Sequence, residues 1–225
     1  MNRLLALLLA TLSFTALADH RWGNRGRHDD RRESRRSRLD LFATHQACLT
    51  AFPGGRAERC VQLASTVTFD PRATISACAA AMYYETDRLR CVEQAFSVGV
   101  ELSRTVTACD QAMYYDSEVM SCLALAVTAR ADLSDTVRAC DAAMYYDSDA
   151  RRCIATVASQ GTCHPSTAAE VVRACDAAMY YDSDAQRCIS SALSLGSRGP
   201  EVVQFCDRSR PYDSQALECI NAFRG

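Results

Sequence analysis

The stretch Ala77-Cys78-Ala79-Ala80-Ala81-Met82-Tyr83-Tyr84-Glu85-Thr86-Asp87-Arg88-Leu89-Arg90-Cys91 decides the reading of this chain, because it recurs. Close copies surround Cys109 and Cys122, Cys140 and Cys153, and Cys175 and Cys188. A divergent copy runs from Cys206 to Cys219 with Arg210-Pro211-Tyr212-Asp213-Ser214 at its centre. A more degenerate one runs from Cys48 to Cys60, where Phe52-Pro53-Gly54-Gly55 replaces the double tyrosine. The two cysteines stand 13 apart in five copies and 12 apart in the first, and successive copies begin 30, 31, 31, 35 and 31 residues apart. A fixed step of this size, with atypical ends, is the signature of a helical-hairpin array.

Each copy reads as helix, tight turn, helix. In the fourth copy Val137, Cys140 and Met144 fall on one face at helical spacing, with Ser134 as the expected cap. Tyr145-Tyr146 is expected to close that helix and Asp147 or Ser148 to cap the next. In the second helix Ala150, Cys153, Ile154, Val157 and Ala158 form an apolar stripe, matched in the third copy by Val119, Cys122, Leu123, Ala126 and Val127. Between copies, Asp70-Pro71 and Gly199-Pro200 place proline at a first helical position, and Thr167 with Glu170 has the form of a capping box. Gly99 and Gly196 suit helix ends.

The thirteen cysteines then read as a disulfide framework with one left over. Zinc would require ligand pairs two to four residues apart, a spacing the chain lacks. Cys140 lies five residues before Tyr145 and Cys153 five after Ser148, so two antiparallel helices would bring them face to face, and Ala139, Ala143 and Ala150 permit close approach. The expected bridges are Cys48–Cys60, Cys78–Cys91, Cys109–Cys122, Cys140–Cys153, Cys175–Cys188 and Cys206–Cys219, with bridges between neighbouring copies as the alternative. Closing a loop of about 14 residues stabilises a hairpin by about 3 kcal/mol in the chain-entropy account. The expected fold is therefore all-α, a tandem, solenoid-like array of six disulfide-stapled helical hairpins over 41–225, divided at about 41–69, 70–99, 100–131, 132–165, 166–198 and 199–225.

Residues 1–18 read as a secretory signal: Arg3, an apolar run from Leu4 to Leu12, and small residues at Ala16-Leu17-Ala18. The apolar run is too short to span a bilayer, so the expected location is periplasmic or secreted. Residues 19–40 carry Arg21, Arg25, Arg27, Arg31, Arg32, Arg35, Arg36 and Arg38 against five acids, a net +3, with almost no aliphatic residue, and are expected to be disordered. Residues 41–225 hold 16 arginines and 22 acids, a net −6. A basic tail on an acidic body suits an anionic surface such as lipopolysaccharide, phospholipid or nucleic acid; a solvated linker is the alternative.

Function is written less clearly. All nine tyrosines (83, 84, 114, 115, 145, 146, 180, 181 and 212) belong to the recurrent turn. Rings beside carboxylates can stack on sugars or anchor a protein. The structural alternative has one tyrosine of each pair packing against the next hairpin while the other covers the turn. Asp147-Ser148-Asp149 and Asp182-Ser183-Asp184 alternate oxygens as calcium loops do, but lack the glycine and distal glutamate of an EF-hand, and acids in a first helical turn follow from the macrodipole. Asp87/Arg90, Asp149/Arg152 and Asp184/Arg187 stand three apart and can pair. Asp110, Asp141, Asp176 and Asp207, each following a first cysteine, read as a solvated stripe. Cys163, in Gly161-Thr162-Cys163-His164-Pro165, is the odd thiol, free or joined to a second chain as a disulfide-linked dimer.

Catalysis is not expected. Only His45 and His164 lie outside the tail, no G-x-S-x-G, P-loop or HExxH pattern occurs, and identical copies do not provide two carboxylates of different pKa. No cofactor or metal is implied. The architecture resembles other secreted α/α repeat proteins with one disulfide per hairpin, a likeness of fold alone. The expected role is an extracytoplasmic protein-interaction module with an unidentified protein partner. A carbohydrate- or cell-wall-binding module using the tyrosines and a structural envelope component are the alternatives. Peptide mapping under non-reducing conditions checks the framework: fragments holding Cys140 and Cys153 should stay linked, and a fragment linking Cys153 to Cys175 would refute the pairing.

Overall fold

The computed structural model describes residues 40–160 and 164–224. Residues 1–39, 161–163 and 225 lie outside it, and with them the signal segment, the arginine-rich stretch and Cys163. Compact packing divides the chain into 1–41 and 42–225, and the array occupies the second unit. Each copy contributes two helices. The pairs are α1 (40–51) with α2 (Ala57–Ala64), α3 (Arg72–Ala81) with α4 (Glu85–Phe96), and α5 (Ser103–Ala112) with α6 (Asp116–Ala129). They continue as α7 (Ser134–Ala143) with α8 (Asp147–Gln160), α9 (Pro165–Ala178) with α10 (Asp182–Leu193), and α11 (Gly199–Ser209) with α12 (Asp213–Ala222). Among the described residues there is no strand.

First helices stack on first helices (α3, α5, α7, α9, α11) and second on second (α2 through α12), so the hairpins form two layers. The sequence stripe supplies the seam. In the second to sixth copies the residue three before the first cysteine (Ile75, Val106, Val137, Val172, Val203) and the one after the second cysteine (Val92, Leu123, Ile154, Ile189, Ile220) are fully buried. Between them run the six bridges Cys48–Cys60, Cys78–Cys91, Cys109–Cys122, Cys140–Cys153, Cys175–Cys188 and Cys206–Cys219, with Cα atoms 5.7 to 5.9 Å apart. All lie within a copy. A strip of alanine and valine buries little area per hairpin, and the covalent tie offsets part of the ordering entropy that it leaves.

The helix ends differ from the expected caps. Ser134 does not cap α7. It is the first helical residue, and its N–H donates to Asp132 Oδ1 at 3.0 Å. Asp70 accepts the N–H of Arg72 in the same way at 3.1 Å, so an acid two residues upstream of the helix supplies the acceptor and Pro71 sits just outside the first turn. Pro200 does lie in the first turn of α11. Thr167 and Glu170 form no capping box, because α9 already starts at Pro165, whose fixed φ and missing N–H suit that place. α9 thus starts ten residues before Cys175 where α7 starts six before Cys140, so the four residues added between these copies form an extra turn of helix.

Gly99 and Gly196 follow α4 and α10 by three residues and adopt left-handed conformation, with φ of 67° and 62°. Aligned on the cysteines, the equivalent residue of the third copy is Arg130, which adopts φ 51° and ψ 40° as the cap of α6. A side chain costs about 1 kcal/mol or more in that region. Arg130→Gly is therefore expected to raise the stability of the folded chain by about 1 kcal/mol, read as a higher denaturation midpoint; an unchanged or lower midpoint would contradict the reading.

Candidate functional site

After the first helix of the second to fifth copies the chain leaves helical geometry at a methionine that is extended and buried. Met144, for example, has φ −118° and ψ 134° and only 6% exposure. Two tyrosines follow, and the carbonyl of the second accepts the opening bonds of the next helix: Tyr146 O takes the N–H groups of Asp149 and Ala150 at 2.9 and 3.0 Å. The first helix therefore ends before the tyrosines, at Ala143. The tyrosines form the turn itself.

Both rings of each pair face solvent. Tyr83, Tyr114, Tyr145 and Tyr180 are 79 to 84% exposed, and Tyr84, Tyr115, Tyr146 and Tyr181 are 62 to 63% exposed. Tyr212 is exposed as well. The expectation that one tyrosine packs against the next hairpin is wrong, because the buried methionine beneath already fills that place. The rings of a pair instead meet each other edge to face, with centroids 4.8 to 5.0 Å apart and planes 87 to 88° apart. That arrangement suits the aromatic quadrupoles and holds each ring in a defined orientation with its remaining face open. Since the first helices stack in order, the pairs form a column along one edge of the array.

The acid after the tyrosines does not cap its own helix. The carboxylates of Asp116, Asp182 and Asp213 reach back to the preceding copy, where the residue past the extended methionine has an N–H with no helical acceptor. Tyr83 N–H donates to Asp116 Oδ2 at 2.9 Å, Tyr145 N–H to Asp182 Oδ2 at 2.9 Å and Tyr180 N–H to Asp213 Oδ2 at 2.8 Å. At the start of the array Gly54 N–H donates to Glu85 Oε1 at 2.7 Å. These bonds tie the first turn to the second, the second to the third, the fourth to the fifth and the fifth to the sixth. Arg88 adds a second tie in its copy, donating to the carbonyls of Met82 (2.9 Å), Ala51 (3.1 Å) and Tyr83 (3.3 Å). The 35-residue step between the fourth and fifth copies leaves the Tyr145–Asp182 bond intact, so the column continues across it.

Asp87, Asp149 and Asp184 pair with Arg90, Arg152 and Arg187 at 3.6, 3.7 and 3.5 Å. Being exposed, such pairs contribute little to stability. Asp110, Asp141 and Asp176 stand at the ends of the first helices. Partial burial holds their carboxyls above the usual aspartate range, and the charges of Asp116, Asp147 and Asp182 push the same way. These three members of the stripe are therefore part of the turn edge, each within reach of the charge of its own turn's acid. Asp132 behaves oppositely. Burial alone would raise it, but hydrogen bonds from Thr105 (2.7 Å) and Ser134, with the Arg104 charge, hold it low.

Among the described residues, no three His, Cys, Asp or Glu side chains are grouped to hold a metal ion, and no helix is long and apolar enough to cross a membrane. Neither a family model, a curated protein nor a solved structure matches this chain. The candidate site therefore stands on its own geometry: a row of fixed, open aromatic rings on a carboxylate-rich edge.

A raised carboxyl pKa means the folded chain takes up a proton at higher pH than the unfolded chain, so stability falls as pH rises through that window. Replacing Asp110, Asp141 and Asp176 together by Asn should raise the denaturation midpoint at neutral pH. The gain should vanish below about pH 3, where these groups are protonated in both states. A gain that persists there would mean that charge is not its cause.

Proposed function

We propose that this chain is an interaction module of an oxidising, extracytoplasmic compartment, presenting its tyrosine edge to a protein partner. Six buried disulfides in a two-layer helical array accord with such a compartment, since a reducing one does not maintain them. The observation that carries the reading is the exposure of both rings in each of four consecutive turns. Tyrosine is enriched where protein surfaces bind, because it brings a large rigid area and a hydroxyl at low entropic cost. The fold does not require eight such rings to stand exposed, because its core lies on the cysteine and valine seam beneath.

A glycan draws on the same rings, since sugars stack on aromatic faces. Asp116, Asp182 and Asp213 each accept a backbone bond through one oxygen only, which leaves acceptor capacity for sugar hydroxyls, so the glycan is the second reading.

Photo-cross-linking in the native compartment tests it. A photoreactive residue at Ser117, beside Tyr115, should capture a discrete protein, and one at Ser97, at the far end of α4, should not. Tyr145→Ala with Tyr146→Ala, both exposed, should weaken the capture while shifting stability by no more than about 0.5 kcal/mol. Equal capture from both edges, or loss of a bound glycan rather than a protein in the tyrosine variant, would overturn the assignment.

A further inference from the structure

The spacing and chemistry of the tyrosine edge specify what kind of polypeptide it fits, an inference that rests on the protein-interaction reading above. The pairs from Tyr83–Tyr84 to Tyr180–Tyr181 are carried by first helices packed side by side in order. Packed helices lie about 8–10 Å apart, so the pairs recur at about that interval. A partner matched to the column must present like groups on one face at the same interval. A β-strand advances about 3.3 Å per residue and alternates faces, so its like-facing residues fall about 7 Å apart or multiples of that. A polyproline II helix has three residues per turn and rises about 3.1 Å per residue. Every third residue therefore lies on one face, about 9 Å from the last.

Three further features agree. Among the described residues there is no strand, hence no sheet edge to which an extended chain could add. Polyproline II leaves its backbone carbonyls without internal partners, and the phenolic hydroxyls of the exposed tyrosines are donors for them. The turns of the third to fifth copies, residues 110–117, 141–148 and 176–183, each hold two aspartates and no basic residue. The charge of Asp116 acts on Asp110, that of Asp147 on Asp141 and that of Asp182 on Asp176. Their mutual repulsion is relieved by a cation arriving once per copy.

We propose that the tyrosine edge binds a proline-rich polypeptide in polyproline II conformation that carries a basic residue at every third position. Proline rings lie on the open tyrosine faces, and each cation sits between the two aspartates of a turn. Preformed polyproline II lowers the ordering cost of docking onto a rigid column.

The test titrates the full-length oxidised chain with three synthetic peptides, each of one triplet per tyrosine pair: Pro-Pro-Arg, Pro-Pro-Glu and Gly-Ser-Arg. The Pro-Pro-Arg peptide should bind, and both others should bind at least about tenfold more weakly. Tyr145→Ala with Tyr146→Ala should weaken the Pro-Pro-Arg complex by about tenfold or more with circular dichroism unchanged. Equal binding of Gly-Ser-Arg, or binding indifferent to the tyrosines, would overturn the proposal in favour of charge alone. If no peptide binds while Ser117 still captures a protein in a tyrosine-dependent manner, the polyproline assignment falls and the interaction module stands. If that capture fails as well, both fall.

Discussion

A hairpin of this chain has a core made of one strip of valine, alanine and cysteine, and such a strip alone does not outweigh the entropy of ordering some thirty residues. The bridge between its two helices changes that balance from the unfolded side, by denying the loose chain most of its conformations. Everything above the single hairpin follows. Once Cys140 and Cys153 hold α7 against α8, Val137 and Ile154 present a fixed apolar face, and the next copy has something of constant shape to pack against. The array is a sum of such units and their contacts with neighbours, which is why copies as different as those around Cys60 and Cys219 still fit.

The second constraint acts between copies. The first tyrosine of a turn lies past its helix in extended backbone, so its N–H must find an acceptor elsewhere, and here the acceptor belongs to the following hairpin: Asp116 for Tyr83, Asp182 for Tyr145, Asp213 for Tyr180. The contact is charge-assisted, and it fixes the register of one turn on the next. Because the carboxylate holds the tyrosine backbone rather than its ring, the side chains are left outside. The same interaction that orders the edge exposes it.

Hairpins, bridges and the buried stripe were legible in the sequence because their signals are local: a thirteen-residue cysteine interval, apolar residues at helical spacing, alanines where helices approach. What failed was what crosses between copies. Ser134 looked like a cap, yet Asp132 does that work and binds Thr105 of the previous hairpin at the same time. The aspartate after each tyrosine pair looked like a cap for its own helix because a first-turn acid normally favours that helix, and nothing inside one copy reveals a partner thirty-three residues away. A clue existed: Glu85 stands at that position in the second copy even though the first copy has Gly54 and Gly55 in place of tyrosines, so the acid's task never depended on a ring. The tyrosines themselves were misjudged because large aromatics usually bury area, and Met144 and its counterparts had already filled the space.

The connections between copies lie at the opposite end of the helices from the tyrosine turns. Between the fourth and fifth copies the four added residues lengthen α9 at that end, to 14 residues where α7 has 10, yet the bond joining Tyr145 to Asp182 is as short as the one joining Tyr83 to Asp116. Extra length at that end leaves the pitch of the far edge alone. A tag or small domain spliced after Gln160 would therefore ride on the back of the molecule, giving a handle for immobilisation that does not compete with whatever the aromatic edge holds.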